Sequence, residues 1–227
     1  GQEQAAEGHQ AGLEQLDLIG LSAHAHGPPL LGTALVAIYL YSSGRIMELL
    51  TSNMLELMVL VEFLVVILFS LLFKKLPASV VTILYFVYAF INGVSFSLIF
   101  AAFELNSIIY LFVAAAALFA IFAYMGYKSK KDLSNWSNYL MPLLLICLIV
   151  SIVNIFLGNS LLDIILDWVI LILFFAITMY DMNKIKELQH VDGIDQNKIY
   201  VYGAMELYLD FINIFIRILS IFGRRKD

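Results

Sequence analysis

Long apolar runs separated by short polar connections dominate the pattern of this chain. They lie at roughly 30–43, 54–73, 78–103, 107–127, 138–158, 161–181 and 199–222. A helix needs about 20 apolar residues to cross the hydrocarbon of a bilayer, and every run but the first reaches that length. Continuous runs of this kind predict helices, whose backbone polar groups are satisfied within the segment where lipid offers no partner. The fold class expected is therefore an all-α membrane protein with seven transmembrane helices. The first run holds only about 14 residues after Pro28-Pro29, so it predicts a shortened first helix. The third is long enough to tilt, and its Asn92-Gly93 marks a place where a helix kinks or packs closely.

Three segments follow from the same pattern. Residues 1–29 form a polar tail rich in Gln, Glu, Ala, Gly and His, expected to be disordered or aberrant. The tail has no Lys or Arg before the prolines and so lacks the basic start of a signal peptide. Its His9, His24 and His26 have no fixed geometry that suggests a metal site. Residues 30–223 make one transmembrane domain, and residues 224–227 a basic C-terminal tail.

Composition narrows the class. The 227 residues are 62% hydrophobic and 14% charged, against about 45–50% and about 25% in a soluble domain. The net charge of −5 matters less than which connections carry the charge. A single cysteine, Cys147, excludes an internal disulfide and reads as a small buried apolar residue. No glycine-rich nucleotide loop, zinc-protease or paired-cysteine pattern is present, and no basic stripe suggests nucleic acid.

Basic residues alternate between connections. Lys74 and Lys75 follow the second run, Lys128, Lys130 and Lys131 the fourth, and Lys184, Lys186 and Lys198 the sixth. The connections after the first, third and fifth runs hold only Arg45. The positive-inside rule places the lysine-bearing loops, and with them the N-terminus, in the cytoplasm. The closing Arg224-Arg225-Lys226 runs against the rule. Seven full crossings carry it outside, a re-entrant last segment keeps it inside, and the pattern leaves both open.

The chemistry lies in acids that interrupt apolar runs. A carboxylate at the bilayer centre costs roughly 2.5–3.5 kcal/mol on insertion scales, which makes Asp210 a candidate functional residue. Glu206, Asp210, Asn213 and Arg217 fall at i, i+4, i+7 and i+11, one polar stripe along one helix face. Such a face has to look into the bundle or a wet cavity, as at the wall of an ion path. The plainer reading is a buried ion pair such as Asp210–Arg217. Asp181 ends the preceding run beside Asn183 and Lys184, where a solvated helix-end carboxylate is the bland alternative. If the sixth and seventh helices are antiparallel neighbours, Asp181 and Asp210 meet and share a proton, since two charges at that distance cannot both persist freely. Such a pair suits a proton switch, transient binding of a divalent cation through hard oxygens, or an aspartyl catalytic dyad. Glu62, inside the second run, is a candidate for lining the same cavity, with a hydrogen bond to Tyr or Asn as its alternative. Asp163 and Asp167, beside Trp168, are candidates for a mouth at the interface.

The segment Tyr180-Asp181-Met182-Asn183-Lys184-Ile185-Lys186, followed by Gly203-Ala204-Met205-Glu206-Leu207-Tyr208-Leu209-Asp210-Phe211-Ile212-Asn213-Ile214-Phe215, resembles the C-terminal signature of the Bax inhibitor-1 family, also called the transmembrane Bax-inhibitor-motif or lifeguard family. The loop from Gly126 to Ser134 resembles that family's connection between the fourth and fifth helices. The likeness covers roughly residues 31–223. It implies six helices wrapped around a central C-terminal helix, and a pH-sensitive calcium leak in the plasma membrane of a prokaryote. It further implies that Asp181 and Asp210 form the hydrogen-bonded pair that senses pH and gates the pore, with Glu62 along the pore. Some members latch an arginine from the end of the second helix onto the acid pair. Here Lys74 and Lys75 stand nearest that place, a looser candidate latch because lysine lacks the planar fork of arginine.

The expected function is thus a proton-gated Ca²⁺ leak with no cofactor, in contact with lipid, calcium and protons. Two alternatives belong to other classes. An intramembrane aspartyl protease also places one Asp on each of two adjacent helices, but it needs glycines before the second acid, and Leu207-Tyr208-Leu209 are bulky. A non-conducting stress or quality-control regulator of membrane proteins leaves no readable motif.

Overall fold

The computed structural model describes residues 31–44, 77–189 and 196–226, and the statements that follow concern those residues. Their regular structure is helical: α1 (Leu31–Ser42), α2 (Ala78–Ala102), α3 (Leu105–Lys128), α4 (Ser137–Leu157), α5 (Ser160–Leu188) and α6 (Gln196–Phe222). A single 3₁₀ turn, Ser134–Trp136, leads into α4. Four of the helices are long and apolar enough to cross a membrane. The expected run at 54–73 lies outside the described residues, so α6 corresponds to the seventh predicted span. The short first run forms a helix of the length its pattern allowed.

The described residues up to Leu98, with Gln196–Ala204, make one compact unit, and those from Ile99 and from Met205 onward make another. In the first unit α1 packs on α2. Thr33 donates its hydroxyl to the Ala89 carbonyl at 2.9 Å, a bond made in a buried setting. Gly93 faces α1 so closely that a Cβ there would stand 2.7 Å from Val36 Cβ. The Asn92-Gly93 pair therefore serves close packing, and α2 runs through it unbroken. Tyr85, Ala89, Asn92 and Phe96 form the buried stripe of α2, while Ile83, Phe86, Val87 and Phe90 stay exposed. An apolar outer face of this kind suits lipid rather than water.

In the second unit α5 packs against α3 and α4. Outer faces of α3 and α4, carrying Ile109, Tyr110, Val113, Leu145, Ile146 and Ile149, are exposed and apolar. From Met205 to Leu219, α6 is buried on nearly every side. Aromatic rings knit the elements: Phe112 meets Phe211 and Phe215 edge-on at 5.2 and 5.5 Å, and Phe122 stacks on Phe175 at 4.3 Å. Each such pair contributes about 0.5–1.5 kcal/mol beyond its buried area. The buried Cys147 fills space in α4, as its apolar neighbours in sequence suggest.

Helix ends follow local chemistry. Gly158 ends α4 at φ 61°, where a side chain would be strained, and the Asn159 side chain accepts from Leu161 and Leu162 N–H to start α5. Asp132 accepts the Ser134 N–H at 2.8 Å, which holds its carboxyl below the usual carboxylate range.

The connection from α3 to α4 is tied to α5. Asn183 accepts the Leu133 N–H at 3.1 Å and donates to the Gly126 carbonyl at 3.4 Å, and Lys186 donates to the Ser129 carbonyl at 2.8 Å. These bonds explain why α5 runs on to Leu188 rather than ending near Asp181. At the other end of this unit the chain after α6 clips onto the α2–α3 turn. Glu104 N–H donates to the Arg224 carbonyl and Lys226 N–H to the Ala102 carbonyl, both at 2.9 Å. Arg224 also pairs with Glu104 at 3.7 Å. Since α3 has 24 residues, its ends lie about 36 Å apart at roughly 1.5 Å per residue. Lys128 and Lys186 thus share one end, and Glu104 and the basic tail share the other.

Two expectations follow. Cysteines placed at Lys128 and Glu104 should label from opposite sides of the membrane, and labelling from one side would refute this arrangement. The Met179 backbone leaves no room for a Cβ at Gly126. Gly126→Val should therefore destabilise the protein by about 1–3 kcal/mol, seen as a lower melting temperature in detergent; an unchanged melting temperature would contradict the contact.

Candidate functional site: a polar seam between two helices

The seam has two clusters. At the Lys186 end, Asp181 on α5 and Asp210 on α6 are each only 2% exposed. Each lies within electrostatic reach of Glu206 and Lys184, and Asp210 also feels Asp181. Asp181 is no solvated helix-end carboxylate, because α5 continues for about two turns beyond it. One oxygen of each acid, Oδ2, is buried without a hydrogen-bond partner.

Thr178, one turn before Asp181, is fully buried and within hydrogen-bonding reach of Asp210. Its hydroxyl donates to the Phe174 carbonyl at 2.8 Å. A hydroxyl has a single proton, so Thr178 can serve one of these two acceptors at a time, the Phe174 carbonyl or Asp210. Sequence reading missed Thr178; its i, i+3 spacing to Asp181 is the signal that placed it on the same face.

At the other end, Asp167 on α5 meets α6. Arg217 donates through Nη1 to Asp167 Oδ1 at 2.6 Å, and the Ser220 hydroxyl donates to Oδ2 at 2.5 Å. Arg217 therefore pairs with Asp167 instead of Asp210, the partner expected for a simple ion pair within the stripe. Helical geometry explains the outcome: Asp210 and Arg217 are two turns apart, about 10 Å along the axis, while Asp167 stands across the seam.

The remaining candidates are placed as follows. Glu206 is half-buried one turn from Asp210, and Asn213 donates back to the Leu209 carbonyl at 2.8 Å. Asp163 and Asp167, expected together at a mouth, are parted. Asp163 is exposed and accepts from Asn154, whereas Asp167 is buried, because one helical turn and a shift of about 40° turn it toward α6. Glu62, Lys74 and Lys75 lie outside the described residues. Among the described residues, no three His, Cys, Asp or Glu side chains converge to hold a metal ion.

A family model described as inhibitor of apoptosis-promoting Bax1 matches residues 28–227. The chain belongs to the Bax inhibitor-1 family. It is 36% identical over 203 residues to the inner membrane protein YbhL of Escherichia coli (strain K12), which covers 87% of each chain. An uncharacterized protein of Borreliella burgdorferi is 28% identical over 205 residues, covering 87% of this chain and 88% of its own. One of Deinococcus radiodurans is 28% identical over 200 residues and 86% of each. YbhL is by name an inner membrane protein, and none of these three names is that of an enzyme. As a Bax inhibitor-1 family member built of several apolar helices, the chain is a membrane protein, and the match leaves residues 1–27 outside it.

Asn183 anchors the loop beside the acid pair, so Asn183→Ala leaves the Leu133 N–H without its acceptor. Loss of about 1–3 kcal/mol is expected, read as a lower melting temperature of the purified protein; no change would show that the loop holds without it.

Proposed function

We propose that this Bax inhibitor-1 family member is a passive, pH-sensitive Ca²⁺ leak in the plasma membrane of a prokaryote, with Asp181 and Asp210 as its sensor. The observation that carries the reading is the convergence of these two acids, from two helices, in a buried seam that leaves an oxygen of each without a partner. Two negative charges there repel strongly in low dielectric. A single shared proton removes that repulsion and lets one carboxyl donate to the other, holding α5 against α6. The polar stripe of Glu206, Asp210, Asn213 and Arg217 supplies one wall of the path. In this reading α6 is the central helix of a seven-helix bundle, Glu62 lines the path, and Lys74 or Lys75 latches the closed state. Lysine-bearing loops and the N-terminus face the cytoplasm, and the basic C-terminal tail faces outward with Glu104.

The sign of the pH dependence follows from the proton count. At lower pH the pair keeps its shared proton and the seam stays closed. As pH rises the proton leaves, the helices part, and ionised carboxylates draw cations in, so Ca²⁺ flux rises with pH. The protein is not an enzyme in this reading: Leu207 and Tyr208 are buried where a protease substrate would have to approach Asp210.

Asp210→Asn keeps hydrogen-bonding capacity and removes the second charge. In liposomes holding purified protein, its Ca²⁺ flux should lose most of the wild-type pH dependence. A mutant that titrates like wild type would remove the pair from the sensor role, and a wild type that carries no Ca²⁺ at any pH would end the leak reading.

A further inference from the structure

We propose that Asp167 is a selectivity-determining residue. By neutralising Arg217, it keeps the Glu104 end of the path open to divalent cations. This inference rests on the leak reading and concerns the end of the seam remote from the acid pair.

Arg217 lies on the α6 face that carries Glu206, Asp210 and Asn213, so a path along that face passes it. Its side chain is 29% exposed, and a guanidinium keeps its charge at every physiological pH. Left alone, it is a fixed positive charge on the wall of a cation path. The clipped tail brings Arg224, Arg225 and Lys226 to the same end, against which Glu104 is paired with Arg224 and Asp163 is bonded to Asn154. Asp167 is the acid that meets Arg217, through Nη1 at 2.6 Å.

The geometry is that of a charge compensator rather than the tightest clamp available. A side-on pair would use Arg217 Nε as a second donor, yet Nε is buried without a partner. The second carboxylate oxygen goes to Ser220 instead, which orients Asp167 from α6. The pair is neutral as a whole and leaves the guanidinium partly exposed.

Charge compensation and a purely structural clamp predict different outcomes. An uncompensated Arg217 raises the local potential, and that potential acts twice as strongly on Ca²⁺ as on K⁺. Asp167→Asn should therefore lower Ca²⁺ flux roughly tenfold and K⁺ flux only about threefold, the square root of the divalent effect. Arg217→Gln should shift flux the other way, raising Ca²⁺ above wild type and raising the Ca²⁺-to-K⁺ ratio. The double variant Asp167→Asn/Arg217→Gln should lie between the two. All are measured on full-length protein in liposomes at a pH where wild type conducts, after circular dichroism confirms helical content. Equal losses of Ca²⁺ and K⁺ flux in both single variants would identify a structural clamp and overturn the proposal. If Asp167→Asn fails to fold, Arg217→Gln decides alone: no rise in the Ca²⁺-to-K⁺ ratio overturns it. Wild type that conducts neither ion defeats the leak reading and this inference together, whereas conducting wild type with unresponsive variants defeats only this one.

Discussion

A charged or polar side chain inside a bilayer has to find its partner within the protein, because lipid supplies none. That constraint organises the seam between α5 and α6. Asp167 answers it fully, with Arg217 on one oxygen and Ser220 on the other. Asp181 and Asp210 answer it incompletely, each keeping a buried oxygen without a hydrogen bond. The rest of the second unit serves these two meetings. The rings of Phe112 and Phe119 press on Phe211, Asn183 ties the α3–α4 loop down beside the acids, and the tail after α6 is clipped to the α2–α3 turn.

The two clusters differ in what can change them. At the Asp167 end, both carboxylate oxygens already have donors, Arg217 on one and Ser220 on the other. In the proposed leak, the Asp181–Asp210 end is the one a proton would control, since each acid keeps a buried oxygen without a hydrogen bond. A helix pair fixed at one end and conditional at the other is suited to open at the conditional end. Membership of the Bax inhibitor-1 family, and the likeness to an inner membrane protein of Escherichia coli, set this seam in a bilayer.

Much of the architecture was legible in the sequence. Boundaries expected at 78–103, 107–127 and 138–158 fall within a few residues of α2, α3 and α4, because a membrane helix is a matter of apolar length. The end of α5 was not. Asp181, Asn183 and Lys184 look like the close of a span, and nothing local says that Asn183 will bind the Leu133 N–H and the Gly126 carbonyl, 50 and 57 residues away. Nor does the sequence say which turn the tail meets, and its backbone bonds to the α2–α3 turn are formed across more than 100 residues.

The sequence by itself determined that the chain is helical and membrane-bound, and that Glu206, Asp210, Asn213 and Arg217 share one helix face, since a period of 3.6 residues is a property of the backbone alone. It also singled out Asp210 as an acid costly to keep in an apolar run, with Asp181 as its candidate partner. Only the tertiary structure decided which acid meets which partner. It gave Arg217 to Asp167, buried Asp181 and Asp210 within electrostatic reach of each other, and set Thr178 within reach of Asp210. The physical reason is that pairing across a seam depends on how two helices are rotated and displaced against each other. Those quantities are fixed by the packing of all their neighbours and are written in no single segment.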